Sequence, residues 1–73
     1  MVYPNPANEV IHIIAGNDGG DLMVYDVYGK LVLSQRMNKN YQELQVKNWK
    51  AGVYFITLKT KDRTLTRKVV VMK

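Results

Sequence analysis

There is no cysteine in this 73-residue chain, so neither a disulfide nor a thiolate metal site can form, and cysteine usage says nothing about the redox compartment. Histidine occurs once, as His12, which leaves a zinc site without the further ligands it requires. Serine also occurs once, as Ser34. A Ser34, His12 and Asp26 triad can be written, but a domain of this size offers no deep cleft to keep it dry, so the sequence argues against an enzyme and calls for no cofactor. No apolar run approaches the roughly 20 residues of a membrane helix. Nothing near Met1 resembles a signal peptide, because Pro4 and Pro6 interrupt the segment and no apolar stretch follows. If the protein is exported, the chain is expected to be one piece of something longer.

What is present reads as strands. Residues 9–14, 21–27, 31–35, 41–46, 52–60 and 64–72 are rich in β-branched and aromatic residues. A seventh strand can lie at residues 1–3. Gly16, Asn17, Asp18, Gly19 and Gly20 end the first clear strand, with three glycines able to take positive φ. Tyr28 and Gly29 make a tight turn, and Asn38, Lys39 and Asn40 a polar loop. Leu44 and Val46 fall on one face of their strand. Tyr54, Ile56 and Leu58 share a face of the strongest strand, whose first half, with Val53 and Phe55, reads as apolar on both faces and therefore central. Val69, Val70 and Val71 read as buried on both sides or nearly so. The best helical candidate, residues 37–44, has no apolar stripe of helical period. One domain spanning 1–73 is expected. A lone sheet would bury too little for so small a chain, whereas two sheets face to face each bury a full face. The fold expected is an all-β antiparallel sandwich of six to seven short strands.

Eleven Lys and Arg against six Asp and Glu give a formal charge of +5. That suits an acidic partner, and it is also ordinary for a small soluble domain. A nucleic-acid partner would need cations interleaved with exposed aromatics. The tyrosines fall mostly on strands expected to be buried, which argues against one.

Four segments carry a resemblance. Tyr3-Pro4-Asn5-Pro6-Ala7-Asn8 leads into Val10-Ile11-His12-Ile13. Val24-Tyr25-Asp26-Val27-Tyr28-Gly29-Lys30 forms a strand and turn. Ala51-Gly52-Val53-Tyr54-Phe55-Ile56 follows, and Lys68-Val69-Val70-Val71-Met72-Lys73 closes the chain. In this order and spacing they resemble the C-terminal sorting domains of type IX secretion cargo, over essentially the whole chain. His12 and Trp49 depart from the usual pattern in a minor way. The resemblance implies an immunoglobulin-like sandwich at the tail of a cargo protein. It implies passage through the periplasm after export by a separate N-terminal signal, then recognition by the outer-membrane translocon. The shuttle and sortase proteins of the type IX system would be further partners. A surface sortase would remove the tail and leave the cargo on the cell surface, joined to anionic lipopolysaccharide, or secreted.

Several residues admit two readings. Pro4, Asn5 and Pro6 form a rigid, donor-poor stretch that is either a docking element or a turn fixing where the first strand enters. Gly29 suits positive φ in the hairpin, and Gly52 suits close approach or a bulge before Tyr54. Tyr54 reads as a core aromatic whose hydroxyl reaches a partner at the rim, and Asp26 as a carboxylate bonding the Tyr28-Gly29 turn. Arg67, Lys68 and Lys73, with Lys59, Lys61 and Arg63 nearby, either steer the tail onto an acidic translocon or protect a strand edge. Together with Lys30, the prolines, Asn5, both glycines, Tyr54, Lys68 and Lys73 are the candidate recognition residues. Because they are dispersed, recognition of a folded shape is expected, with strand addition by residues 64–73 as a second possibility. The rival class is a free-standing fibronectin-type-III-like adhesion or carbohydrate-binding module, which would show exposed aromatics on a platform.

Overall fold

The computed structural model describes residues 2–4, 6–15, 19–37 and 39–72. Asn5, Lys73, the 16–18 part of the glycine-rich loop and Asn38 lie outside them. Among the described residues seven strands are formed: β1 (Val2–Tyr3), β2 (Val10–Ile14), β3 (Gly20–Asp26), β4 (Leu31–Met37), β5 (Tyr41–Gln45), β6 (Gly52–Lys59) and β7 (Thr64–Val71). They build two antiparallel sheets, ordered β1-β2-β5 and β4-β3-β6-β7. This is the sandwich the alternating apolar pattern predicts, with the strand distribution of an immunoglobulin-like fold. No helix of the described residues is long and apolar enough to cross a membrane.

Period-two alternation explains the core. Ile11, Ile13 and Leu44 point inward from the small sheet, and Leu22, Val24, Tyr54, Ile56, Leu58, Val69 and Val71 from the large one. Among the described residues every buried side chain is apolar or is Tyr54, and no buried polar side-chain atom lacks a partner. Burial of the two inner faces is thus achieved without a polar cost.

Several expectations need correction. The fourth strand runs on to Met37, which is completely buried; Leu33, Gln35 and Met37 continue the inward alternation past the polar residues that seemed to end it. β6 is central as expected, yet Phe55 is 37% exposed and Val53 half-buried, because nothing among the described residues covers the outer face of the large sheet. Val70 is half-buried for the same reason. Of the five tyrosines only Tyr54 is buried; Tyr3, Tyr28 and Tyr41 are exposed and Tyr25 half-buried. Two sheets bury two faces, and these rings stand on the other two or at a loop tip.

The chain start joins both sheets. Val2 and Tyr3 pair with Ile13 and His12 of β2. After a cis Tyr3–Pro4 peptide, Ala7 forms a parallel bridge with Val71 at the end of β7. The two prolines thus sit where the chain crosses between sheets, a place where their missing donors are not needed.

Candidate functional site

Four sequence segments converge at one end of the sandwich. Ala7 is buried beside Val71, its N–H donating to the Val70 carbonyl at 2.8 Å and its carbonyl accepting from Met72 N–H at 2.7 Å. Val71 in turn faces Gly52 across the β6–β7 ladder. Two residues along β6, Tyr54 pairs with Val69 on one side and Asp26 on the other. Asp26 opens the loop at 27–30. The first, second, third and last segments are therefore linked by backbone contacts across β7, β6 and β3.

The loop is held by its own carboxylate. Asp26 Oδ1 accepts from the Tyr28 and Lys30 amides, each at 2.9 Å, and Gly29 N–H donates to the Asp26 carbonyl at 3.0 Å. Asp26 is a turn-bonding group, as its position suggests. Gly29 has φ +82°, which only glycine adopts without strain. Gly52 also has positive φ, +151°, but an added Cβ would meet nothing within 4 Å and the β6–β7 register is unbroken. Neither close approach nor a bulge explains it; its backbone angle does. Close approaches lie instead at Gly19, where a Cβ would collide with the Met37 carbonyl, and at Gly20, where it would collide with the Lys59 carbonyl.

Tyr54 is a core residue, 7% exposed, whose hydroxyl donates to the Lys50 carbonyl at 2.6 Å. A tyrosine at the start of this strand, bonding back to the preceding connection, is the tyrosine corner of immunoglobulin-like sandwiches. Trp49 packs on it with ring centroids 4.9 Å apart.

Not every candidate gathers here. Pro6, Gly29, Lys30, Gly52 and Tyr54 lie at this end, with Pro4 at the crossover leading to it. Lys68 stands on the outer face of the large sheet, opposite Phe55. His12 lies on the small sheet, whereas Ser34 and Asp26 lie on the large one, so the three are not brought together. The outer edge of β7 beside Val71 is already taken by Ala7, so a strand added there would have to displace it. At the opposite end an open depression is lined by Gly20, Asp21, Arg36, Lys59 and Thr60, and holds none of the candidate recognition residues.

Two exposed apolar groups were not foreseen. On the outer face of the small sheet, His12 is stacked between Tyr3 and Tyr41, at centroid distances of 4.9 and 5.9 Å, and its Nδ1 lies 2.6 Å from the Tyr41 hydroxyl. On the large sheet, Leu31, Val32 and Phe55 are exposed beside the Tyr28 tip. Alternation could have placed the first group outward. The unbroken Leu31-Val32-Leu33 run was the signal for the second, since three apolar residues in a row cannot all face one core.

A family model described as the secretion system C-terminal sorting domain matches residues 1–72. Among curated proteins, none matches the chain. The chain belongs to the type IX secretion C-terminal sorting-domain family, a family of sorting signals that work with the secretion machinery in export across the outer membrane.

Proposed function

We propose that this sorting domain, as residues 1–73, is a tail that the export machinery reads as a folded object, through the end of the sandwich where the four segments meet. The observation that carries this is the bridge between Ala7 and Val71. It makes the first and last segments neighbours only when both sheets have formed. In this reading the passenger traverses the periplasm and the translocon engages the tail. Shuttle and sortase proteins then handle it, the sortase releasing the passenger to the cell surface or the medium. Pro4, Asn5, Pro6, Gly29, Lys30 and Gly52 would shape the recognised end, Tyr54 would hold it from inside, and Lys68 and Lys73 would add positive charge. No catalytic step is assigned to the domain.

The test is a fluorescent passenger carrying a signal peptide and this chain, in a type IX-competent bacterium. Export of the native fusion, and its loss when Leu22→Asp, an unpartnered charge at a fully buried core position, unfolds the tail, is the expected result. Equal export from the unfolded tail would sink recognition by shape.

A second reading, an adhesion or carbohydrate-binding module, draws on the exposed Tyr3 and Tyr41 with the half-buried His12 stacked between them. It predicts glycan binding that Tyr3→Ala weakens, and full function with another domain fused downstream.

A further inference from the structure

We infer that the outer face of the four-stranded sheet, around Tyr25, Val32, Phe55 and Lys68, docks a protein surface of the export machinery that is apolar at its centre and acidic at its rim. This deepens the sorting reading above and rests on it.

The face is continuous by register. Tyr25 lies opposite Phe55 on one side and Leu31 on the other, and Phe55 lies opposite Lys68. Their chain neighbours Val24, Ile56 and Val69 are buried, so alternation turns this row outward. The β3–β4 register slips between Val24, opposite Leu33, and Tyr25, opposite Leu31, which leaves Val32 as an extra residue. Leu31 is 49% and Val32 40% exposed as a result. A contiguous exposed apolar row marks an interaction surface, unlike apolar residues scattered singly. The bulge also spoils the β4 edge as a template for strand addition, so contact through the face is favoured over contact through the edge.

Charge selects the partner. The two acids bordering the face are engaged within the domain: Asp26 by the Tyr28 and Lys30 amides, Asp21 by Arg36 Nη1 at 3.1 Å. Lys30, Lys59 and Lys68 are exposed around the row and outnumber these two acids, in keeping with the net +5. These cations come from three different strands or turns. Lys59 is four positions along β6 from Phe55, roughly 13 Å at strand rise, so its backbone and that of Lys68 stand well apart on the face. Cations spaced around an apolar centre match an acidic-rimmed protein patch instead. The outer face of the small sheet has the opposite character, with its rings stacked on one another beside Glu43.

The experiment places Val32→Glu, Lys68→Glu, Lys68→Arg and Phe55→Thr in the exported fusion, with Ile14→Ser on the other face as control, and measures exported fraction and thermal midpoint. We expect Val32→Glu and Lys68→Glu to lower export at least ten-fold without shifting the midpoint, with Lys68→Arg and Ile14→Ser exporting normally. Phe55→Thr keeps a strand-forming residue and should lower export likewise. Normal export from Val32→Glu and Lys68→Glu, with the native fusion exported, overturns this inference alone. A native fusion that is not exported overturns the sorting reading with it. Pelleting of the purified chain with phosphatidylglycerol vesicles, lost in Lys68→Glu, would assign the face to lipid. A dimer in sedimentation that Phe55→Thr dissociates would assign it to a second copy. Either result overturns the proposal.

Discussion

Ala7 and Val71 stand side by side in a parallel bridge, 64 positions apart in sequence, and each of the two is almost wholly buried. The bridge closes the sandwich along an edge that hairpins alone would leave open. It also means that the extreme C-terminal strand is held on both sides, by β6 and by the residue that follows the two prolines.

Removing residues 71–73 should therefore take away a large part of the domain's stability. The loss includes a buried valine, about 1.5–3 kcal/mol, and the Met72 bond to Ala7, about 1 kcal/mol. A chain of this length is stable by only roughly 4–11 kcal/mol. Ala7→Pro, which removes the donor to the Val70 carbonyl, should cost about 1–3 kcal/mol. Urea unfolding followed by tryptophan fluorescence would read both. A truncated chain as stable as the native one would show that the bridge contributes nothing.

Two glycines should respond very differently to alanine. At Gly20 the new Cβ would run into the Lys59 carbonyl, which is fixed in the ladder beside it. The β3–β6 pairing has to part, and a cost of about 3 kcal/mol or more is expected. At Gly52 there is open space and only the backbone angle objects, so about 1 kcal/mol is expected. Thermal midpoints of Gly20→Ala and Gly52→Ala would decide it. The reverse order would mean that the β6 entry, and not the β3–β6 contact, is the sensitive point.

Much of this was legible in the sequence because two sheets packed face to face impose one rule, alternation, on nearly every strand. Ile11 and Ile13, Leu44 and Val46, and Tyr54, Ile56 and Leu58 all obey it, and Asp26 announces its turn. What was not legible depends on pairs distant in sequence. Nothing in Ala7 says that it meets Val71, and nothing in Gly20 says that Lys59 lies against it. The exposed tyrosines were misjudged because strand-forming character fixes which residues form strands, not which face of the sheet is covered. Val32 was obscured because a bulge resets the alternation from which facing is read.

Tyr54→Phe separates a structural role for this side chain from a recognition role. Loss of the bond to the Lys50 carbonyl should lower stability by about 0.5–1.5 kcal/mol, while the ring still fills the core beside Trp49. Since the side chain is almost fully buried, export at the growth temperature should stay near the native level. A large fall in export with little loss of stability would show that the hydroxyl itself is read.

The aromatic row on the small sheet should add a small share to the domain's loss of stability at alkaline pH. Tyr41 is 45% exposed, yet its phenol is held above its ordinary value of 10.0, chiefly by the partial desolvation its neighbours impose and further by the Glu43 carboxylate and by Tyr3. In the unfolded chain the same phenol ionises near its ordinary value. Below pH 10 both states keep the proton, and Tyr41 contributes its full stabilisation. As pH rises past 10 the unfolded chain gives up its proton first, so the unfolded state binds fewer protons and stability falls with pH until the folded phenol has also ionised. Tyr41→Phe cannot ionise and should lose this part of the decline. Urea midpoints of the two proteins, taken from about pH 8 to about pH 12, should run parallel below pH 10 and then diverge, the native protein falling more steeply. Lysine deprotonation acts equally on both and drops out of the difference. Curves that stay parallel throughout would mean that the phenol ionises as readily in the folded row as in the unfolded chain, and that the stack around His12 imposes no constraint on its charge.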